Sequence, residues 1–252
     1  PREAFGSHDD ADHVYNTPRA WFMERYLNPH TSTWDGPNAE YRTDSDNIPW
    51  CRTPERRITP EDIKYLLSSH YQGTPYDPYA TYGDPSMRGA YRSIGINRND
   101  FMALIQLRPD VPQEYCAVEW LAFGSNAFNA MVPFYAAVES TPEYLAGTTE
   151  DVSTDNFYWS SRMIGALADA HYGKCLSHIE RYQLAVQSQG HELIGRFDKE
   201  MYEAKPSERK AICEKANKKI AEMLQRETQQ VLNKVLYETS CQMKNSYARS
   251  DA

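Results

Sequence analysis

From residue 150 onward the sequence reads as helical throughout, and this stretch most constrains what the chain can fold into. The segment "DVSTDNFYWSSRMIGALADAHYG" opens on Ser, Thr and Asp cap residues, and the pattern predicts a helix ending at Gly173. "SHIERYQLAVQSQGHELIGRFDKEMYEA" follows as a second helix, and a third runs from Pro206. In the third, Ile212, Ala216, Ile220, Leu224, Val231 and Val235 trace one stripe, with Lys, Glu and Gln opposite. The spacing of that stripe is nearer 3.6 than 3.5 residues per turn. It therefore predicts packing against a sheet or a sister helix rather than a coiled coil.

The layer for such helices to cover lies just upstream. "DFMALIQLRPD" and "YCAVEWLAFGS" are two β-prone runs joined by the turn "PDVPQ", which predicts a hairpin. A third run, "MVPFYAAVES", carries Pro133, a residue confined to sheet edges or bulges because it cannot donate to a ladder. The class that follows is α+β: an antiparallel sheet with long C-terminal helices on at least one face. Residues 1–92 have another texture, rich in Pro, Gly, Asp and Tyr, with two short helices. "NTPRAWFMERYLNP" predicts a helix with Thr17 as N-cap, Pro18 at the first position and Asn28-Pro29 as the stop. "ITPEDIKYLLSSHYQG" predicts another, capped by Thr59, opened by Pro60 and closed by Gly73. No internal repeat and no low-complexity linker interrupts the 252 residues.

Several function classes are disfavoured by composition. The formal net charge is −8, and no dense Lys/Arg block occurs, so a nucleic-acid-binding surface is not expected. No apolar run approaches the roughly 18 residues of a membrane helix, so no membrane partner is expected. The five cysteines (Cys51, Cys116, Cys175, Cys213 and Cys241) are widely spaced and odd in number. That pattern suits free thiols in a reducing compartment, and the expected location is cytoplasmic. "HDDADH" (8–13) offers metal-type ligands without a recognisable metal spacing, so no metal is expected and a solvated turn is the better reading. His70 and His171 are read as helix-end residues. Neither a glycine-rich phosphate loop nor a dinucleotide fingerprint is present.

Two loops stand out. "SSHYQGTPYDPY" presents Thr74, Tyr76, Asp77 and Tyr79 on a proline-stiffened segment, suited equally to a pocket wall and to a plug at the base of a domain. "AFGSNAFNA" gathers Ser125, Asn126 and Asn129 between strand-like runs. It is suited equally to a pocket wall with amide donors and to a tight connection. Ser125 lacks the G-x-S-x-G elbow of a nucleophilic serine.

Several long stretches together resemble the N-terminal-nucleophile cysteine dipeptidases of the PepD type. They are "YNTPRAWFMERYLNP", "DNIPWCRTPERRITPEDIKYLLSSHYQGTPYD", "YRSIGINRNDFMALIQLRP", "AVEWLAFGSNAFNAMVPFY", "STDNFYWSSRMIGALADAHY" and the closing "ARSDA". The resemblance covers essentially the whole chain but matches the family's C-terminal portion. It implies that residues 1–252 are the C-terminal portion of a single dipeptidase domain, part of a four-layer αββα sandwich. It implies hydrolysis of dipeptides through a cysteine at the mature N-terminus, whose own α-amino group serves as base. No metal or organic cofactor is then needed. The chain opens on "PREAFGSHDD" with no initiator Met and no cysteine near Pro1. The nucleophile and the oxyanion-hole asparagine are accordingly expected upstream, in an N-terminal portion that partners this one. The resemblance points to Arg98 in "GINRNDF" as a supporting group that would depress a thiol pKa and bind a carboxylate. The alternative for Arg98 is a strand-end salt bridge. Tyr71, Thr74, Tyr76, Ser125, Asn126 and Asn129 would help shape the substrate pocket. A homo-oligomer is expected from the acidic charge and the long C-terminal stripe. Two other readings remain: a related amidase acting on penicillin-like or bile-conjugate amides, and a non-catalytic structural or interaction fragment.

Overall fold

A computed structural model describes residue 6 and residues 9–246. His8 of "HDDADH" and the closing "ARSDA" fall outside the described residues. The chain divides into two compact units, Pro1–Ile96 and Asn97–Ala252.

The first unit is built from short helices and long ordered loops around aromatic side chains. Helix α1 (Asp12–Tyr15) runs directly into α2 (Thr17–Leu27), and α3 (Pro60–Leu67) follows after a long loop. Because α1 leads straight in, Asn16 rather than Thr17 occupies the cap position of α2, with helical dihedrals, and its amide donates to Asp12 Oδ1 at 2.6 Å. At α3 the local signals hold. Thr59 Oγ1 accepts from the Asp62 N–H at 3.3 Å, and Asp62 Oδ2 accepts from the Thr59 N–H at 2.8 Å, with Pro60 opening the helix. Arg56 grips both oxygens of Asp62 at 2.6 Å, and the Tyr26 hydroxyl donates to the same carboxylate at 2.8 Å. That guanidinium holds the Asp62 carboxyl well below the usual carboxylate range.

Helix α3 stops at Leu67, six residues before Gly73. Ser69 cannot offer its carbonyl to a further helical turn, because the N–H groups of Ile94 and Gly95 both take it at 2.9 Å. Gly95 approaches so closely that a Cβ there would lie 2.5 Å from the Ser68 carbonyl. The core of this unit is Trp21, Phe22, Trp34, Tyr41, Ile48, Leu66, Tyr71 and Ile94, all buried. Phe22 meets Tyr71 edge to face at 5.7 Å, a favoured aromatic geometry.

The second unit is the expected α+β layer pair. Strands β1 (Phe101–Leu107), β2 (Ala117–Phe123) and β3 (Val132–Tyr135) form an antiparallel sheet in the order β1-β2-β3. Trp120 faces Leu104 on one side and Pro133 on the other, which places Pro133 on an edge strand. Alternation sends Met102, Val118, Trp120 and Ala122 inward. On the opposite face Phe101, Ile105 and Leu107 are 58%, 66% and 71% exposed.

Among the described residues four helices follow the sheet: α4 (Glu143–Ala146), α5 (Phe157–Ala170), α6 (Tyr172–Glu203) and α7 (Pro206–Ser240). The break between α5 and α6 falls at His171, whose non-helical backbone caps both, so Gly173 lies in the first turn of α6. Helix α6 sits tight on β3, where a Cβ at Gly190 would be 2.8 Å from Pro133 Cδ. The stripe of α7 packs within its own unit: Ala216, Ile220, Leu224, Val231 and Val235 are buried, and Ile212 is half-buried. Buried in the same unit, the stripe no longer supports the expected homo-oligomer. Asn217 stands in this apolar surface, and its side chain exchanges two hydrogen bonds with the backbone of Tyr135. Its Oδ1 accepts from the Tyr135 N–H at 2.8 Å, and its Nδ2 donates to the Tyr135 carbonyl at 2.9 Å. A helix side chain thus completes the ladder on the free edge of β3. All five cysteines are free thiols.

Candidate functional site

The tyrosine-rich loop that follows α3 is held from within. Tyr71 takes a left-handed backbone, φ 66°, rare for a bulky residue, and its N–H donates to Ser69 Oγ at 2.9 Å. Its ring is fully buried and its hydroxyl donates to the Arg92 carbonyl at 3.0 Å; burial raises the phenol pKa. Thr74 is buried as well, donating to the Tyr71 carbonyl at 2.7 Å and accepting from the Tyr76 N–H at 3.2 Å. His70 and Asp77 close the loop across its base, Nδ1 to Oδ1 at 2.9 Å with both side chains buried. His70 is therefore a loop residue paired with a carboxylate, not a residue of the helix end. Asp77 also accepts from the Tyr79 N–H at 2.9 Å, the Asx turn that an Asp-Pro pair favours.

What this scaffold delivers is the ring of Tyr76. It stands edge-on to Trp21 at 6.0 Å and tilts against Tyr91 at 4.6 Å. The Tyr91 hydroxyl shares a 2.8 Å hydrogen bond with Thr43 Oγ1. These rings and Trp34 line a cleft of about 600 Å³, whose remaining wall includes Asp35, Arg42 and Asp44. Its aromatic lining edged by a few charged groups makes it a candidate small-molecule cleft. Of the three loop residues expected at a pocket, Tyr76 lines it, whereas Tyr71 and Thr74 support the loop that carries it.

Arg98, Ser125, Asn126 and Asn129 belong to the second unit. Arg98 is exposed just before β1, and it makes no ion pair among the described residues, so the strand-end salt bridge is not formed. Its neighbours are fixed: Arg162 Nη1 donates to the Asn97 carbonyl at 2.7 Å and to Asp100 Oδ1 at 3.3 Å. The Gly124 N–H donates to the Asp100 carbonyl at 3.0 Å. Arg162, which the sequence did not single out, thus pins the segment on both sides of Arg98.

In the loop after β2, the Ser125 carbonyl accepts from the Phe128 and Asn129 N–H groups, both at 3.0 Å. Asn129 Nδ2 donates to the Phe123 carbonyl at 2.7 Å and to Asn126 Oδ1 at 3.2 Å. Gln183 closes the turn by donating to the carbonyls of Ala127 and Asn129 at 3.2 and 3.0 Å. Gly165 of α5 makes room for the loop, since a Cβ there would lie 3.0 Å from Ser125 Cβ. In this geometry the asparagine side chains organise a tight connection. His13, the described histidine of the acidic N-terminal stretch, lies 2.9 Å from Asp46 Oδ1. Among the described residues, no group of three or more His, Cys, Asp or Glu side chains is arranged to hold a metal ion. No helix among them is long and apolar enough to cross a membrane.

The profile of peptidase family C69 matches residues 1–185. The chain belongs to that family. It is 44% identical to a dipeptidase of Bifidobacterium longum, with all of this chain and 54% of that protein aligned. It is 43% identical to "Probable dipeptidase A" of Streptococcus pyogenes serotype M18, over all of this chain and 51% of that protein. It is 37% identical to dipeptidase A of Lactobacillus helveticus, over 94% of this chain and 48% of that protein. The chain spans about half the length of the curated relatives it matches.

Proposed function

We propose that the full-length protein containing this chain is a dipeptidase, and that this chain forms the C-terminal portion of its single catalytic domain. The observation that carries the reading is the similarity, along the entire chain, to proteins named dipeptidases. In this reading the nucleophile is a cysteine at the mature N-terminus, upstream of Pro1. Its α-amino group takes the thiol proton, the thiolate attacks the peptide carbonyl, and the same proton passes to the departing amine. Water then hydrolyses the thioester and releases the N-terminal amino acid. The thiol and the amine supply nucleophile and base, so the step calls for no metal or organic cofactor.

Two features of the second unit support this assignment. The outer face of the sheet exposes Phe101, Ile105 and Leu107, a surface that a second sheet would cover in a four-layer αββα sandwich. Among the described residues Arg98 makes no ion pair, and Arg162 fixes the segment around it, which suits a cation that favours a thiolate or binds a carboxylate.

The test is hydrolysis of a dipeptide panel by the full-length protein, before and after alkylation with iodoacetamide. Turnover of dipeptides that alkylation abolishes is the expected result. Cleavage of penicillin-like or bile-conjugate amides in preference to dipeptides would overturn the substrate assignment. Absence of any amide hydrolysis would overturn the enzyme assignment.

A further inference from the structure

One face of helix α5 seats both segments that carry the candidate residues of the second unit. Tyr158, Ser161, Arg162 and Gly165 stand at positions i, i+3, i+4 and i+7, which form one side of a helix. Gly165 makes room for the loop after β2, since a Cβ there would lie 3.0 Å from Ser125 Cβ and 3.5 Å from Phe128 Cδ2. One turn earlier, a Cβ at Gly124 would lie 3.0 Å from Ser161 Cβ and 3.2 Å from the Arg162 backbone nitrogen. The Arg162 side chain takes hold of the second segment, the approach to β1.

Arg98 lies there between two fixed points. Before it, the Asn97 carbonyl accepts from Arg162 Nη1 at 2.7 Å. After it, Asp100 Oδ1 accepts from the same nitrogen at 3.3 Å, and the Asp100 carbonyl accepts from the Gly124 N–H at 3.0 Å. Tyr158 stands beside the same carboxylate, whose charge, after burial, raises the phenol pKa. Asn97, Arg98 and Asp100 are all exposed, so packing does little to fix them and these hydrogen bonds carry the task. The Arg162–Asp100 pair is itself open to water, with side chains 35% and 54% exposed. Such a pair adds little to stability, and what it fixes is position.

We infer that Arg162 is a positioning residue for the reaction: it holds Asn97 and Asp100, and through them it sets the place of Arg98. The inference rests on the dipeptidase reading, in which Arg98 favours a thiolate or binds a carboxylate. A working group displaced by about 1 Å can cost about a hundredfold in rate.

The experiment is a double-mutant cycle on kcat/KM for dipeptide hydrolysis by the full-length protein. Arg98→Ala, Arg162→Met and the double variant are compared with the parent, with far-UV circular dichroism confirming each fold. Arg162→Met alone is expected to lose about ten- to a hundredfold. In the Arg98→Ala background the same change should cost less than about twofold, because the group it positions is gone. Arg162→Lys should recover part of the loss, since one nitrogen makes both contacts and an ammonium can take its place. Hydrogen exchange at residues 97–100 supplies a readout independent of turnover. It should quicken in Arg162→Met and slow again in Arg162→Lys. Equal losses in the two backgrounds would show a general structural effect and overturn the inference, as would unchanged exchange. In either case dipeptide turnover by the parent leaves the dipeptidase reading standing. A parent that cleaves another amide instead fails that reading alone, and the same cycle on that amide decides the role of Arg162. A parent without any amide hydrolysis overturns both.

Discussion

Replacing Asn217 with alanine tests how the edge of the sheet is closed. Asn217 is 2% exposed, and its amide supplies both hydrogen bonds to the backbone of Tyr135, at 2.8 and 2.9 Å. Tyr135 is fully buried on an edge strand, so removal of the amide leaves an N–H and a carbonyl with neither water nor a ladder partner. Each orphaned group costs about 1–3 kcal/mol. Asn217→Ala should therefore destabilise by about 2–6 kcal/mol, with the void left by the side chain pushing toward the upper end. Asn217→Asp is the informative companion. At neutral pH it keeps the acceptor but turns a carboxylate oxygen toward the Tyr135 carbonyl, so it should be no better than alanine. In acid, a protonated carboxyl can donate again, and part of the loss should be recovered relative to alanine. Urea unfolding gives the stability change, and hydrogen exchange at the Tyr135 amide reports the site itself. An Asn217→Ala variant within about 0.5 kcal/mol of the parent, with Tyr135 protection unchanged, would refute the reasoning.

Other consequences are open to measurement. Lys64 is buried, its Nζ donates to Ser68 Oγ at 2.7 Å, and burial pulls its pKa down to about 7 from 10.5. Between those values the unfolded chain binds the proton and the folded chain does not, so stability should rise with pH from about 7 to 10.5. Lys64→Met should flatten that rise in a pH series of urea midpoints and stabilise the protein most at or below neutral pH. Three glycine-to-alanine changes should rank by the space around the new methyl. Gly95→Ala, with a Cβ 2.5 Å from Ser68 backbone, should cost more than Gly190→Ala, with a Cβ 2.8 Å from Pro133. Gly195→Ala, with open space in mid-helix, should stabilise by up to about 1 kcal/mol, as thermal midpoints of the three variants would show.

The features legible in the sequence were those set by neighbouring residues. The cap of α3 follows from Thr59, Pro60 and Asp62, all within one turn. The β1–β2 hairpin follows from two alternating runs around a proline-bounded turn, and the edge position of β3 follows from Pro133. The end of α3 was not legible, because Ile94 and Gly95 claim the Ser69 carbonyl from about 25 residues away. Gly73, the nearest local stop signal, marks a later turn with φ 75°. Asn217 is not legible from a stripe defined by its apolar members, although a polar residue embedded in such a stripe requires a partner.

The candidate site divides in the same way. Tyr76 stood out in a dense aromatic loop, but Trp34, Arg42 and Asp44 lie in a turn-rich stretch whose approach to it is a tertiary event. The composition of the 124–129 loop fitted a pocket wall and a tight connection equally. Its asparagine bonds to the Phe123 carbonyl and to Asn126, together with the closure by Gln183, make the connection visible only in three dimensions.

The most direct test of the central claim is to trap the reaction on the full-length protein. The protein is mixed with a dipeptide, quenched in acid within milliseconds, and its N-terminal peptide is analysed by mass spectrometry. The account predicts an aminoacyl adduct of the substrate's first residue on a cysteine at the mature N-terminus, absent after alkylation. Dipeptide turnover with no such adduct, and with no loss of activity on alkylation, would contradict it.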